Sequence, residues 1–280
     1  MPSDPVECFL ILAHEDELQL KALIERLLQP GSQDKAVVHI DAKSQLWRET
    51  KGRFLRGLPN VRLISRPIPV YWAHASMVCA TTLLIREALK EHFDLAHLIS
   101  GSDWPVLGKS ARLSQWDGKC QLEAEPLIQS ERMNRFWLDS RFARAPHMTL
   151  YHWRLKVLMD RISSKLPARA SEPWGPWHKG SQWWSLTREA CEFIVPELVR
   201  ARWSGRLFAT VCADEHLIQT IMASRMPNVL SSNTRRAVLW EDGRDSPRIL
   251  TARDWPDILA SGAWFARKVS RRIDPFFLKL

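Results

Sequence analysis

Apolar residues along the first hundred positions fall into two kinds of spacing that take turns. Glu7–Ala13 is a short apolar run ending at His14, and Lys35–Ile40 is another, ending in Asp41-Ala42-Lys43. Residues 60–64 and 95–99 give a third and a fourth. Runs of this length, rich in Val, Ile and Leu, predict strands buried on both faces. Between them, residues 15–29 set Leu18, Leu20, Leu23, Ile24, Leu27 and Leu28 on a helical face and stop at Pro30-Gly31. Residues 76–92 predict a long helix with Ser76 as its N-cap.

This β-α-β-α alternation predicts an α/β fold: a mixed, mainly parallel sheet of Rossmann type with helices on both faces. Each strand ends in polar residues, namely His14, Asp41 with Lys43, Arg66, and Ser100 with Asp103. Parallel strands bring those ends to one edge, where open α/β sheets hold their ligands. The fourth strand runs into a Ser-Gly-Ser turn and then Asp103-Trp104-Pro105. Gly101 lets backbone approach a ligand closely, and Pro105 restricts the chain beside the Asp103 carboxylate. An ordinary strand-to-helix turn accounts for the same residues equally simply.

The second half is less regular. Residues 121–172 form a basic and aromatic excursion with one helix near 151–165, read either as a solvated insertion or as an acceptor-binding flap. Residues 173–186 lead through a turn into an aromatic strand, and Thr187 caps a helix reaching about 200. Residues 214–224 predict a helix with Asp214 and Glu215 in its first turn, where the macrodipole alone would favour acids. Short strands are expected at 229–230 and 238–240, and Thr251 caps a last helix start. With no internal repeat, low-complexity tract or strong linker, the expected organisation is one domain over 1–280.

Charge narrows the choice of ligand. Forty Lys and Arg against 31 Asp and Glu give a net charge of +9 and favour anionic partners. The excess is mostly Arg spread along the chain, and no helix-turn-helix, RNA-binding or zinc signature accompanies it, so no nucleic-acid partner is expected. Five cysteines without a C-x-x-C pair suggest neither a zinc site nor a disulfide framework, and read as small core residues in a reducing cytoplasm. The N-terminus lacks the basic region and apolar length of a signal segment. Fourteen Trp against two Tyr suit stacking on sugar rings or bases. The sequence has no H-E-x-x-H, D-x-D, G-x-G-x-x-G, P-loop or G-x-S-x-G motif. His14, His39, His74 and His97 are not at helical metal-ligand spacing.

What remains is a basic crevice, the carboxylate pair Asp214 and Glu215, and late cations at Arg248, Arg253, Arg267 and Lys268. A carboxylate acting as general base, with cations stabilising a leaving diphosphate, is what sugar transfer from a nucleotide-sugar requires. Arginine suits the second task because its planar fork binds phosphate oxygens in pairs.

Six blocks in order, AHEDELQLKALIERL, VVHIDAKS, VYWAHASMVCATTLLIREAL with LISGSDWPVL, KGSQWWSLTREACEFI, DEHLIQTI and PRILTARDWPDILASGAWFARKV, resemble the core-2/I-branching β-1,6-N-acetylglucosaminyltransferase family, which includes the peptide O-xylosyltransferases and many bacterial members. The region 121–170 does not take part. The resemblance implies a GT-A-like fold and an inverting glycosyltransferase needing no divalent metal or other cofactor. It would move a sugar, GlcNAc first, from a UDP-sugar to a hydroxyl of a glycan or lipid-linked saccharide. UDP-xylose as donor, or a non-catalytic nucleotide-sugar or glycan-binding protein of the same fold, are the alternatives. Glu215 falls on the family's catalytic base and Lys268 on its diphosphate-binding lysine. Arg248 is the nearest match to that lysine's arginine partner, with Arg253 and Arg267 as alternatives. Trp240 resembles an aromatic that packs on the acceptor. His14, Asp41 and Lys43 are the candidates for donor base and ribose, and Asp103 for the donor-sugar floor. Asp214, Trp72 and Ser76 are secondary. A role in polysaccharide biosynthesis at the inner face of a membrane is expected, with residues 265–280 as a possible surface contact or, more simply, a final helix packed on the sheet.

Overall fold

The computed structural model describes residues 4–127, 131–137, 150–167, 173–203, 207, 210–244 and 246–280. The first half runs β1 (Glu7–Ala13), α1 (Glu17–Leu27), β2 (Lys35–Ile40), α2 (Gln45–Thr50), β3 (Val61–Leu63), α3 (Ser76–Ala88) and β4 (Leu95–Ser100). There follow β5 (Asp103–Pro105), α4 (Lys109–Ser114), β6 (Cys120–Gln121), β7 (Glu125–Pro126), α5 (Glu131–Asn134) and α6 (Leu150–Ser164). The last third is β8 (His178–Lys179), β9 (Ser185–Thr187), α7 (Arg188–Trp203), α8 (Leu217–Arg225), β10 (Leu230–Ser231), β11 (Arg236–Val238), α9 (Trp255–Ala260) and β12 (Phe265–Arg267).

A seven-stranded sheet in the order β10-β6-β9-β4-β1-β2-β3 forms the centre. β1 pairs in parallel with β2 and β4, as do β2 with β3 and β6 with β10, while β9 runs antiparallel to β4 and β6. The mixed, mainly parallel sheet expected from the alternation is therefore present. Period-two alternation along β1 divides the core: Cys8, Leu10 and Leu12 pack with α3, α7 and α8, and Phe9, Ile11 and Ala13 pack with α1 and α9. A small sheet, β11-β12-β5, lies on the second of these faces, since Trp264, Phe265 and Ala266 share a cluster with Phe9 and Ile11.

Several expectations change in detail. The turn after β4 is present at Gly101-Ser102, but Asp103-Trp104-Pro105 beyond it becomes β5 and pairs antiparallel with β12. Ser76 does not cap α3; the cap position is Ala75, and the Ser76 hydroxyl instead accepts from the Tyr71 amide at 2.9 Å and contacts His74 Nδ1 at 3.0 Å. α2, capped by Ser44, escaped the sequence reading because six residues are too few to show a helical period. Thr187 and Thr251 do cap: Thr187 accepts from the Ala190 amide, and Thr251 forms a capping box with Asp254. Gln121 belongs to the central sheet, so the irregular excursion starts later than its expected boundary. Its helix is α6, and the rest of it at 128–130, 138–149 and 168–172 lies outside the described residues. All five cysteines are free and buried. Residues 265–280 end not in a helix but in β12 and a 3-10 turn, with Phe277 fully buried in the core. Among the described residues no helix is long and apolar enough to cross a membrane.

Beneath the sheet face that carries β12 sits a buried ionic cluster. Arg112 donates to both Glu7 oxygens, Nε at 2.9 Å and Nη2 at 2.5 Å, and His97 Nε2 lies 2.9 Å from Glu7 Oε1. Burial raises the Glu7 carboxyl's cost of ionising, but bonds from His97 and Arg112 outweigh it and hold its pKa at about 2. Burial holds the His97 pKa at about 4. A neutral imidazole beside a carboxylate must donate from Nε2, so Nδ1 accepts from the Ser185 hydroxyl at 2.7 Å.

Candidate active site

The parallel strands deliver His14, Asp41 and the Ser100-Gly101 turn to one edge, as their order in the sheet requires. At Gly101 an added Cβ would meet the Ala13 Cβ at 3.3 Å, so glycine there lets two strand ends approach. Asp41 is buried and works locally: Oδ1 accepts from the Lys43 and Val70 amides, and Oδ2 pairs with Lys43 Nζ at 2.6 Å. Lys43 also lies 5.4 Å from the Tyr71 ring centre. The pKa of His14 is lowered, first by burial, and the charges of Lys268 and Lys43 push the same way against Glu15 and Asp41. Four expected donor-site residues from distant parts of the sequence thus act on one another.

Asp214 and Glu215 do not stand in the first turn of an α-helix. They occupy a separate 3-10 turn, Ala213–Glu215, and His216 breaks the chain's geometry before α8 begins. The pair still lies directly before the α8 N-terminus, so the helix dipole continues to favour acidic residues there. Two contacts fix the turn: the Cys212 amide donates to the Ala73 carbonyl at 2.8 Å, and the Gly180 amide donates to the Glu215 carbonyl at 3.0 Å. The first attaches it to the loop holding Trp72, which is 60% exposed. The second attaches it to the 180–183 loop. Gln219 strengthens that link by donating to the Ser181 carbonyl at 2.8 Å.

The 180–183 loop carries the connection on to the cations. Trp183 lies against Arg267, whose guanidinium carbon is 4.2 Å from the ring centre, and Arg267 Nη1 donates to Asp103 Oδ1 at 2.8 Å. Lys268 follows directly, its backbone bonded to Arg248 and Leu250. The loops at 41–43, 71–76, 212–215, 180–183 and 267–268 therefore form a chain of contacts around the strand ends. It links the Glu215 turn to the Arg267-Lys268 segment, 53 positions further along the sequence, through backbone and ring contacts.

Asp103, expected to line the donor-sugar floor, is fully buried. Its Oδ2 accepts from the Ser100 amide at 3.0 Å, and burial raises its pKa against the pull of Arg267. Its influence on a ligand passes through Arg267. Arg248 is likewise occupied, its fork set on Asp254 at 2.6 and 3.1 Å, while Arg253 is exposed. Trp240 is 62% exposed, just beyond β11. Sequence reasoning missed Gly180, Trp183 and Arg236 as site residues. Arg236 donates to Ser185 and the Trp184 carbonyl and feels the charge of Asp103, joining the buried cluster to the site floor. The only signal for Gly180 was a glycine set between a turn and a pair of tryptophans. A cleft of about 220 Å³ lies at the opposite ends of β1 and β2, beside Lys35, Arg62, Glu87 and Glu91, whose charges already pair with one another.

The sheet topology, with His14, Asp41, Lys43 and the Arg267-Lys268 segment gathered at its strand ends, defines an α/β protein with a candidate site there. The family profile described as Core-2/I-Branching enzyme matches residues 8–258, and the chain belongs to that family. It is a glycosyltransferase. Among solved structures, the apo form of the bifunctional glycosyltransferase WbbM is similar at 13% identity and a TM-score of 0.44, covering 96% of this chain and 47% of that one. This chain thus spans about half of WbbM's length. The 4-diphosphocytidyl-2C-methyl-D-erythritol synthase from Anaerococcus prevotii DSM 20548 is similar at 9% identity and a TM-score of 0.35, covering 70% of this chain and 76% of that one. A search of curated proteins returns no significant match.

Proposed function

We propose that the protein moves a sugar from a UDP-sugar to a hydroxyl of a glycan acceptor with inversion and without a divalent metal, GlcNAc being the first donor to try and xylose the second. Glu215 takes the proton from the acceptor hydroxyl as that oxygen attacks the anomeric carbon. The bond from that carbon to the diphosphate breaks with its electron pair, and the departing UDP carries the negative charge away. Lys268 meets that charge, with Arg267 or Arg248 as its arginine partner. His14, Asp41 and Lys43 receive the nucleoside, and Trp72 and Trp240 offer flat apolar faces to the acceptor.

The observation that carries this reading is the chain of contacts from the Glu215 turn through Gly180 and Trp183 to Arg267 and Lys268. A base and a diphosphate-neutralising cation must stand on opposite sides of one anomeric carbon, and contacts linking their two loops support that reading. Family membership supports the same reaction class. Both arginines already hold a carboxylate, Arg248 that of Asp254 and Arg267 that of Asp103, so either would share its fork with the diphosphate.

The test is turnover of UDP-sugars on a panel of glycan acceptors in EDTA, comparing the wild type with Glu215→Gln. Loss of on the order of 10²–10⁴-fold in kcat with UDP binding retained is expected. Full activity in the variant would remove Glu215 as the base, and strict dependence on Mn²⁺ would remove the cationic clamp.

A further inference from the structure

α6 carries an apolar row that nothing in the described chain covers. Leu158 is 54% exposed, Ile162 46% and Leu166, just past the helix, 40%. Spacing of four places the three on one stripe. Arg154, Arg161 and Lys165 are also exposed, and at 100° per residue they form a second row directly beside the first. Trp153, 52% exposed, lies beyond that cationic row. The opposite side of the helix faces the protein: Ser163 is buried, and Arg135 donates to the Asp160 carbonyl. A solvent-facing stripe of large apolar residues is unusual in a soluble chain and marks a contact surface.

We propose that this face of α6 rests on an anionic lipid surface. Charge complementarity selects that occupant. Arg154, Arg161 and Lys165 face outward from a chain of net charge +9, and apolar side chains interleaved with Arg and Lys fit the boundary between headgroups and acyl chains. A second copy of the chain fits poorly, because a two-fold contact would set one cationic row against another. The C-terminal segment does not compete for the role, since Phe277 is buried and Phe276, Leu278 and Leu280 pack on the same core. Position adds a consequence. Arg135 is two residues from Trp137, which packs on Ala73, Val211 and Cys212, and Cys212 begins the Glu215 turn. The protein-facing side of α6 is thus linked through Arg135 and Trp137 to the segment that begins the Glu215 turn.

The experiment is co-sedimentation of the full chain with vesicles of phosphatidylcholine alone and of roughly 2:1 phosphatidylcholine and phosphatidylglycerol. Wild type is compared with Leu158→Glu/Ile162→Glu and with Arg154→Ala/Arg161→Ala/Lys165→Ala. Binding should need the anionic lipid and weaken with salt. The triple variant should bind about 10²-fold more weakly and the double variant should not bind. Far-UV circular dichroism and thermal unfolding midpoints equal to the wild type's show that both variants remain folded. No binding by the wild type, equal binding to neutral vesicles, or either variant binding as the wild type does would overturn the proposal. So would a wild-type dimer that Leu158→Glu/Ile162→Glu dissolves, which would give the stripe to a second copy. Vesicle binding is read without turnover, so its outcome is separate from that of the proposed reaction.

Discussion

Replacing Arg112 by Met tests the energetics of the buried cluster beneath the site. Arg112 is 3% exposed and Glu7 0%, and the guanidinium makes two of the bonds that keep Glu7 ionised. Removing it leaves a carboxylate without its cation in a dry core, a change that costs roughly 3–5 kcal/mol. The charge origin of that cost gives it a sign with pH. In the wild type His97 stays neutral until pH falls to about 4, burial being the main cause and Arg112 a contributor. Without Arg112, the Glu7 and His97 pair regains a counter-charge by binding a proton at higher pH. The variant's native state then holds more protons than the wild type's, so its deficit shrinks as pH falls. The slope is at most about 1.4 kcal/mol per pH unit. Urea unfolding followed by the fluorescence of the 14 tryptophans should show a large deficit near pH 7, smaller by roughly 1–3 kcal/mol near pH 5. The same cost at both values would mean that lost packing, not a stranded charge, is responsible. A deficit below about 1 kcal/mol would refute the argument outright. Arg112→Lys keeps the charge and loses the fork, so it should fall between the two.

Gly180→Ala would set a Cβ 1.9 Å from the Glu123 carbonyl oxygen, and the Gly180 amide holds Glu215. A loss of roughly 1–3 kcal/mol in stability and a larger proportional fall in kcat than in UDP affinity are expected; a fully active, stable variant would break the link drawn between loop and base. Burial pushes the Cys8 thiol up to about 12 and raises Cys79, Cys120 and Cys191 as well. An aromatic disulfide reagent should therefore label these thiols only as fast as the chain unfolds, and rapid labelling of native protein would contradict their burial. His39, held at about 4 by burial, and His97 are both neutral in the fold and free to protonate when unfolded, which occurs near 6.5. Stability is then greatest above about pH 7 and falls on acidification from 6.5 towards 4; stability unchanged across that interval in a pH series of unfolding curves would refute the assignment.

The parallel half of the fold was legible because its signals are local. β1 and β2 match their apolar runs residue for residue, since strands buried on both faces need nothing but unbroken hydrophobicity. The polar ends at His14, Asp41 and Lys43 followed from the same runs. The Asp-Glu and Ala-Arg-Lys blocks were legible by resemblance alone, because no periodicity distinguishes a base from a helix-start acid.

Tertiary structure decided what each polar group does. Asp103 reads as a carboxylate on an open turn, yet β12 returns from the far end of the chain, pairs with it and buries it against Arg267. Ser76 reads as a cap, yet an amide five residues earlier takes its hydroxyl. Glu215 reads as part of a helix, yet two backbone bonds from other loops hold it in a turn of its own. Sequence fixes which side chains are apolar and with what period, and burial on one face follows from that. The pairings of Arg112 with Glu7 and of Arg267 with Asp103 depend on contacts between segments more than a hundred residues apart, and no local pattern encodes such a pairing.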